Sequence, residues 1–321
     1  MAVLTPMNDH DARELLAHYG LGPPRALVGL TAGSVNSNFA IDLDGRRLFL
    51  RVYEERDRRG AVSETAMVER LAGAGVPTPA PLRRIDGGLV SDMRGKPAAL
   101  FPWRPGAMRC QASVTVDDVL QLGEALARVH VAGATEVRDE SRFRYEDLDA
   151  RLDRIAASGD ARFAPRVPTL RDALATAHAA RDIGLPRGLI HGDLFRDNVL
   201  WEGPRLAALL DFESASDGTF AYDLMVTALA WCVGDDLDVR LARALREGYE
   251  RVRPLTLRER EGLASEGAFA ALRFAVTRIT DFAMRAPSGG PPPAKNWRRF
   301  MMRFDKLRSL GSAGLRDVLG D

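Results

Sequence analysis

The stretch HGDLFRDN, residues 191–198, is the feature of this sequence from which its fold can be worked out. It is a polar loop between two short apolar runs, residues 188–190 and 206–210, and each run is typical of a buried β-strand. The chain reads DFE at residues 211–213, thirteen residues after Asn198. Strands on both sides are expected to fix the loop and its polar side chains in one arrangement.

The loop at residues 191–198 fits the kinase catalytic-loop template H-x-D-L-x-x-x-N, with Gly192 where protein kinases carry arginine. Phosphoryl transfer needs a carboxylate that accepts the proton of the attacking hydroxyl, and oxygen ligands that hold Mg²⁺ against the phosphates. Asp193 fits the first role, and Asn198 and Asp211 fit the second. The sequence therefore predicts ATP and Mg²⁺ as cofactors.

A loop that covers the phosphates of ATP is predicted at residues 31–38, between two strand-like runs. It has one glycine where the G-x-G-x-x-G template has three, so an ordinary hairpin loop is the alternative. The residues assigned to nucleotide binding in this loop are Gly33, Ser34, Asn36 and Asn38.

Arg51 is the candidate cation for the α- and β-phosphates. Kinases place a lysine on this strand, but only three of the 45 basic residues here are lysines, Lys96, Lys295 and Lys306, and none lies on it. Glu64, on the following helix, is the carboxylate expected to orient the cation. The alternative for Arg51 is a solvated strand residue.

The adenine base is expected to meet backbone groups at a hinge between two lobes. Leu100, Phe101 and Trp103 are the candidate residues, since they lead into a segment with two prolines and a glycine. The alternative for Phe101 and Trp103 is that they are aromatic residues of the hydrophobic core and do not contact the base.

The order of predicted elements indicates an α+β protein with a bilobal, protein-kinase-like fold. Residues 1–100 are predicted to form a small antiparallel sheet with a helix, which is the nucleotide-binding lobe. After a hinge at residues 101–106, residues 107–321 are mostly helical and contain the catalytic loop and the substrate pocket. Two capping boxes, Thr115-x-x-Asp118 and Thr256-x-x-Glu259, predict helix starts in this larger lobe.

The charges of the chain nearly cancel, with 45 basic and 44 acidic residues among 321. Nucleic acid and anionic membranes require a basic excess, so neither is expected as a partner. The longest apolar stretch, residues 224–233, is about half of the roughly 20 residues that a membrane span needs, and the N-terminus lacks the pattern of a signal peptide. We expect a cytoplasmic monomer or homodimer that acts on a small molecule.

The sequence resembles the protein-kinase-like phosphotransferases of small molecules, the aminoglycoside phosphotransferase and choline kinase superfamily, and within it the bacterial homoserine kinases built on this fold. The resemblance covers nearly the whole chain and rests on residues 37–39, 95–100, 189–201, 210–232, 248–255 and 272–278. It implies MgATP-dependent phosphorylation of the side-chain hydroxyl of L-homoserine, a step toward threonine. It also implies that Asp193 is the base, that Asn198 and Asp211 hold the metal, and that His191 and Asp223 support the loop.

Three positions depart from the pattern of those homoserine kinases. Many of them have alanine where Gly192 stands and proline where Arg196 stands, and several lack the cation that Arg51 provides. The pair of Arg51 and Glu64 is typical of the broader superfamily. Another small-molecule kinase of that superfamily, acting on a similar amino alcohol, is therefore the alternative reading.

A zwitterion such as homoserine needs a forked cation for its carboxylate and an anion for its amine. Arg278 and Asp281 lie about one helical turn apart in apolar surroundings and are assigned to substrate binding. Glu213, close to the predicted metal site, is a third candidate. The alternative for Arg278 and Asp281 is an exposed ion pair between the two.

A protein kinase and a non-catalytic nucleotide-binding module are the two other classes of protein to consider. Only 11 residues separate Asp211 from Asp223 and no A-P-E follows, so the chain has no room for an activation segment. A non-catalytic module is expected to lack the base or a metal ligand, whereas both are present here. The sequence therefore favours a small-molecule kinase.

Overall fold

The computed structural model describes four ranges of the chain: residues 3–31, 35–134, 140–286 and 295–320. Their contacts divide the protein into two compact units. The N-terminal unit comprises residues 1–108 and 199–213, and the C-terminal unit comprises residues 109–198 and 214–321. A small antiparallel sheet in the first unit and many helices in the second confirm the predicted α+β fold class.

A five-stranded antiparallel sheet is the centre of the N-terminal unit. Leu48, Leu50 and Val52 alternate along its middle strand and are buried in a core shared with Leu15 and Leu16 of the first helix. The helices are α1 (Asp9–Ala17) and α2 (Arg58–Gly73), and the strands, in order across the sheet, are β1 (Ala26–Leu30), β2 (Ser37–Leu43), β3 (Arg46–Val52), β5 (Lys96–Pro102) and β4 (Ser91–Met93).

A hairpin from the middle of the chain also belongs to the N-terminal unit. Its strands, β7 (Val199–Glu202) and β8 (Arg205–Leu209), were predicted to lie in the larger lobe with everything after residue 106. Backbone hydrogen bonds explain the difference, because Trp201 pairs with Ala107 and the Leu209 amide donates to the Pro77 carbonyl at 2.6 Å. These pairings are long-range in sequence, and no local pattern reports them.

The C-terminal unit is mainly helical in the part that the structure describes. The capping boxes of Thr115 with Asp118 and of Thr256 with Glu259 are both formed and begin two of its helices, as predicted. None of the helices in the described ranges is long and apolar enough to cross a membrane. The helices are α3 (Val116–Ala132), α4 (Tyr145–Ala157), α5 (Val167–Ala179), α6 (Phe220–Trp231), α7 (Val239–Glu250), α8 (Leu257–Arg278) and α9 (Arg298–Leu319), with a π-helical turn, Ile279–Ala283, after α8.

A short two-stranded ribbon carries the loop at residues 191–198. Strand β6 (Arg187–Ile190) pairs with β9 (Ser216–Thr219), a strand that the sequence reading missed. The loop leaves the end of β6, and β9 leads directly into α6. The ribbon thus brings the start of the loop next to the first turn of α6.

Two glycines allow α3 and α7 to pack with their backbones almost in contact. A Cβ at Gly248 would lie 2.0 Å from the Leu120 carbonyl oxygen, and a Cβ at Gly123 would lie 2.2 Å from the Leu245 carbonyl oxygen. No larger side chain fits at either position without separating the helices. The crossing brings the C-terminal half of α3 close to Tyr249 near the end of α7.

Candidate active site

Asp223 holds the first residues of the catalytic loop, residues 191–198. Its carboxylate is fully buried in the first turn of α6 and accepts the backbone N–H groups of His191 at 2.7 Å and Gly192 at 2.8 Å. Gly192 has a φ of 74°, and a Cβ there would lie 2.8 Å from the Ser214 carbonyl oxygen. The loop backbone therefore favours glycine at this position.

His130 and Tyr249 extend this support and were missed by the sequence reading. His130 lies 3.0 Å through Nε2 from the Asp223 carboxylate and 2.7 Å through Nδ1 from the Tyr249 hydroxyl, and it is buried. Burial lowers the pKa of His130. Burial raises the pKa of Asp223, but the hydrogen bonds that its carboxylate accepts from His130 and from the Gly192 backbone help to lower it below its usual value, so the carboxylate stays ionised. The sequence signal that could have identified His130 is its position on the apolar face of α3.

Asp193 combines a fixed backbone with an accessible carboxylate. The Asn198 side-chain amide donates to the Asp193 carbonyl at 2.8 Å, and the indole of Trp231 donates to the Leu194 carbonyl at 2.9 Å. The Asp193 side chain itself is 32% exposed, and Arg273 Nη1 lies 3.4 Å from its Oδ1. This is the arrangement that a general base requires, since the carboxylate is held in place and open to a substrate hydroxyl.

Arg196 anchors the second half of the loop to the C-terminal end of α6. Its guanidinium donates to the Ala230 carbonyl and, at 2.5 Å, to the side-chain oxygen of Gln111. Gln111 in turn donates to the Trp231 carbonyl at 3.0 Å. Cations are favoured at helix C-termini, where carbonyl groups lack partners within the helix. Arg196 is thus a support of the loop in this chain.

Arg51 is the centre of a charged cluster in the N-terminal unit. Its Nη1 lies 3.2 Å from Asp211, 3.4 Å from Glu213 and 3.6 Å from Glu64. Burial lowers the pKa of Arg51, but these three carboxylates raise it by more, so the guanidinium is charged. The predicted pairing of Arg51 and Glu64 is present, and Arg56, at 3.1 Å from Glu64, is an additional partner that the sequence reading did not identify.

Glu213 belongs to the cluster around Arg51. Its carboxylate accepts a hydrogen bond from the Asn36 side chain, and its backbone carbonyl accepts one from Arg56 at 2.6 Å. Burial and the neighbouring charge of Asp211 raise the pKa of Glu213 to about 7. The structure therefore places Glu213, which was a substrate-binding candidate, with the predicted nucleotide-binding residues.

The residues predicted for the phosphate-covering loop are only partly described. Gly33 and Ser34 lie outside the described residues. Asn36 accepts the backbone N–H of Glu54 at 3.2 Å in addition to its contact with Glu213. Asn38 is buried on β2, opposite Arg51 in the register of β2 and β3.

The hinge candidates differ in exposure. Leu100 is fully buried in the core of the sheet, whereas Phe101 is buried on the opposite face of β5 and packs against Phe49 with ring centroids 6.2 Å apart. Trp103 is partly exposed, and the Arg47 guanidinium lies over its ring at 4.4 Å. Strand β5 continues to Pro102, so the predicted hinge overlaps the end of this strand.

Asn198 and Asp211 supply the oxygen atoms predicted to bind Mg²⁺. The amide nitrogen of Asn198 is used in its hydrogen bond to Asp193, which leaves the amide oxygen as its side-chain acceptor. Asp211 has a φ of 64°, a conformation that aspartate tolerates, and its side chain is 36% exposed. An amide oxygen and a carboxylate are ligands that Mg²⁺ prefers, so the donor chemistry of these residues fits the ion.

The two helical candidates for substrate binding have different surroundings. Asp281 pairs with Arg151 at 2.6 Å and not with Arg278. Arg278 forms no ion pair with the described residues; it donates to the Asn296 carbonyl at 3.3 Å and lies over the Phe300 ring at 4.4 Å. The alternative of an ion pair between Arg278 and Asp281 is therefore excluded, and only Arg278 has no carboxylate partner among the described residues.

A family model described as the phosphotransferase enzyme family matches residues 26–255. The chain belongs to this family. Homoserine kinase from Methylocella silvestris is 33% identical over 99% of this chain and 100% of that protein. Homoserine kinase from Xanthobacter autotrophicus is 34% identical over 98% of both chains. An amicoumacin kinase solved in complex with AMP-PNP and Ca²⁺ has a TM-score of 0.71 at 16% identity, covering 95% of this chain and 93% of that one, and shares its fold.

Membership of the family makes the protein a phosphotransferase, an ATP-dependent kinase that acts on a hydroxyl group. The predictions of family, fold class and enzyme class are confirmed. Phosphoryl transfer by a kinase needs a carboxylate that is held in a fixed position and is accessible to the substrate hydroxyl. Asp193 meets this requirement within the C-terminal unit.

Proposed function

We propose that this protein is a homoserine kinase, which transfers the γ-phosphate of ATP to the side-chain hydroxyl of L-homoserine and releases O-phospho-L-homoserine and ADP. The observation that carries the proposal is the similarity to homoserine kinases over almost the whole length of both chains. The intact catalytic loop supports it. An enzyme with this substrate and cofactor acts in the cytoplasm, where both are available.

Asp193 is assigned as the general base. Its carboxylate accepts the proton of the homoserine hydroxyl as the oxygen attacks the γ-phosphorus. The hydrogen bonds from His191 and Gly192 to Asp223 keep the loop in position during this step, so the carboxylate does not have to be reoriented.

The metal and nucleotide roles follow from the kinase template. We assign Asn198 and Asp211 to Mg²⁺, which neutralises charge on the phosphates when bound. Arg51, charged and held by Glu64, is assigned to the α- and β-phosphates of ATP. Partly exposed Trp103 and the backbone of residues 100–103 are assigned to the adenine.

The charges of the C-terminal unit suit a substrate with a carboxylate. Within the described ranges, Arg278 has no anionic partner, and the carboxylate that Arg273 contacts is that of Asp193, at 3.4 Å. A polycationic aminoglycoside would need acidic groups in such a place, since two arginines would repel it. A small amino acid is the better match.

A coupled assay of ADP release tests the proposal. We expect turnover with L-homoserine and a much lower rate with L-serine, choline and an aminoglycoside, each at the same concentration. Homoserine turnover no higher than the ATPase background would exclude the homoserine assignment, and turnover with another alcohol would identify a different small-molecule kinase.

The variant Asp193→Ala tests the role of Asp193 as the general base. Loss of a general base typically costs about 10²- to 10⁴-fold in kcat, and ATP binding measured by calorimetry is expected to change little. A variant with undiminished kcat would refute the role of Asp193, whatever the substrate.

A further inference from the structure

The guanidinium of Arg273 lies between two phenylalanine rings in the C-terminal unit. Its Cζ atom is 3.8 Å from the Phe143 ring centroid and 3.7 Å from the Phe274 ring centroid. The residue is only 3% exposed. Both faces of the guanidinium are therefore covered, and only its edge can make hydrogen bonds.

The edge of this guanidinium is almost unused within the protein. An arginine has five N–H donors, and the described residues accept one of those of Arg273, at 3.4 Å, through Asp193 Oδ1. The Nε group is buried and has no partner among the described residues. Buried charges are normally paired and fully hydrogen-bonded, because burying a charge without partners is costly. Among the described residues, Arg273 is thus a buried charge whose hydrogen-bond donors are mostly unused.

A second arginine shares this region. Burial lowers the pKa of Arg278 to about 10, the charge of Asp193 raises it, and the charge of Arg273 lowers it. Arg278 lies over the Phe195 ring at 5.6 Å, and Phe195 packs against Phe274, the ring beneath Arg273, with centroids 4.8 Å apart. The two arginines therefore belong to one aromatic cluster beside Asp193. Two cations around one carboxylate leave an excess of positive charge beside the general base.

Arg303, a buried arginine that shares the Phe300 ring with Arg278, shows what a structural role looks like. Arg303 donates to the Val233 carbonyl at 3.0 Å, just beyond the C-terminal end of α6, and stacks on Phe300 at 4.4 Å. It supports a helix end in the same way as Arg196. Arg273 has no such backbone acceptor among the described residues, where only the two rings and the 3.4 Å contact with Asp193 compensate for its burial.

We propose that Arg273 binds the α-carboxylate of the substrate and so determines that the enzyme accepts an amino acid and rejects the corresponding amino alcohol. This inference rests on the proposed function, because it takes the substrate to be homoserine. Its basis is the position of a rigid, water-shielded guanidinium edge directly beside the general base. Arg278 contributes a second positive charge to the same carboxylate.

The geometry of the substrate agrees with this position. In homoserine three carbon atoms separate the hydroxyl oxygen from the carboxylate carbon, so a pocket that brings the hydroxyl to Asp193 must hold the carboxylate a few bonds away. The planar fork of arginine matches a carboxylate with two parallel hydrogen bonds. The two rings exclude water from the faces of the fork, which strengthens the interaction.

The test compares two ligands that differ only in the carboxylate, L-homoserine and 3-amino-1-propanol. For each ligand, kcat/KM is measured where there is turnover, and the inhibition constant against homoserine phosphorylation is measured for 3-amino-1-propanol in every case. The full-length wild-type protein is expected to favour homoserine. In Arg273→Lys, which keeps the charge and loses the fork, the preference for homoserine should fall by about 10- to 100-fold.

Arg181→Lys is the matched control. Arg181 also stacks on a phenylalanine, with Cζ 4.3 Å over the Phe269 ring, and pairs with Glu266 at 2.8 Å, but it has no contact with Asp193 among the described residues. Its substitution is expected to lower stability without changing the preference between the two ligands. This separates ligand selection from general damage to the fold.

Phe143→Leu is the second variant, for the case in which Arg273→Lys folds poorly. It removes one cover of the guanidinium at a partly exposed position and leaves Arg273 in place. The preference for homoserine should fall by a smaller factor in the same direction.

Two results would overturn the inference. An equal loss for both ligands in Arg273→Lys would leave the preference unchanged and would mean that Arg273 acts only by positioning Asp193. Undiminished kinetic constants for both ligands would mean that Arg273 takes no part in recognising the substrate. If the wild-type protein does not phosphorylate homoserine at all, the proposed function has failed first, and this outcome is separate from the other two.

Discussion

Individual residues of the catalytic loop are held by partners that are far away in sequence. Asp223 is 32 residues from His191, whose backbone N–H it accepts, and His130 is 93 residues from Asp223. A polar loop exposes its backbone groups, and each buried one needs a partner. The buried carboxylate of Asp223 accepts two of these N–H groups, so the Asp193 carboxylate is not needed to hold the loop.

Arg51 is the residue at which the scarcity of lysine has a chemical consequence. We expect Arg51→Ala to raise the KM for ATP by about 10- to 100-fold, because a charge-assisted contact to the phosphates is lost and three carboxylates lose their counter-ion. Arg51→Lys should keep part of the activity, since lysine supplies the charge without the fork. Steady-state kinetics at varied ATP concentration measures both effects.

Arg46→Ala is the control for this prediction, because Arg46 begins the same strand and is exposed. It should leave the KM for ATP within about twofold, as surface substitutions usually have small effects. An unchanged KM in Arg51→Ala would contradict the assignment of Arg51 to the phosphates.

At the scale of elements, the crossing of α3 and α7 determines where His130 and Tyr249 meet. The interhelical contact depends on Gly123 and Gly248, at which even a methyl group would collide with a backbone carbonyl. Periodicity in the sequence predicts a helix for each segment, but it does not say which two helices touch. The glycines within the two helices are the trace of this contact in the sequence.

We predict that Gly248→Ala lowers the free energy of unfolding by about 1–3 kcal/mol, the usual cost of overpacking, because its Cβ would lie 2.0 Å from the Leu120 carbonyl oxygen. Urea denaturation monitored by circular dichroism measures the change. Gly73→Ala is the matched control, since Gly73 ends α2 with no atom within 4 Å of an added Cβ. Alanine should be neutral or stabilising there, by up to about 1 kcal/mol. Equal effects of the two substitutions would contradict this account.

At the scale of the whole molecule, the free energy of unfolding depends on pH through two buried ionisable groups, whose contributions change in opposite directions as the pH rises. His130 has a lowered pKa, so the unfolded chain binds its proton more readily, and the contribution of His130 to stability falls as the pH drops below about 6.5. Glu213 has a raised pKa of about 7, so its contribution falls as the pH rises toward that value. The total profile therefore mixes the two contributions, and only a difference between variants isolates one of them.

We predict that the stability advantage of the wild-type protein over His130→Gln shrinks as the pH falls from about 7.5 to about 5.5. The reason is that the neutral glutamine has no proton to gain on unfolding, whereas the buried histidine has one. Unfolding free energies of both proteins, measured by urea denaturation at several pH values, give this difference. A difference independent of pH, or one that grows in acid, would contradict the prediction.

Much of the fold and of the reacting groups could be predicted from local patterns. The starts of α3 and α8 follow from capping boxes, because a cap is a contact between residues three apart. The roles of Asp193, Asn198 and Asp211 stay predictions, made from their spacing along a short loop and the short strands around it. Glycine also marks a break within an element: the helical path of α9 is interrupted at Gly311, whose φ of 62° lies outside the helical range.

The sequence by itself determined the family and the α+β class, and it predicts Asp193 as the base, because these depend on residue types at fixed short intervals. Only the tertiary structure decided which residues surround them. It paired Asp281 with Arg151, brought Glu213 to Arg51, and brought Arg273 to Asp193. Each of these contacts joins residues 80 or more positions apart. Packing of distant segments creates such contacts, and no periodicity within one segment records which distant segment it will meet.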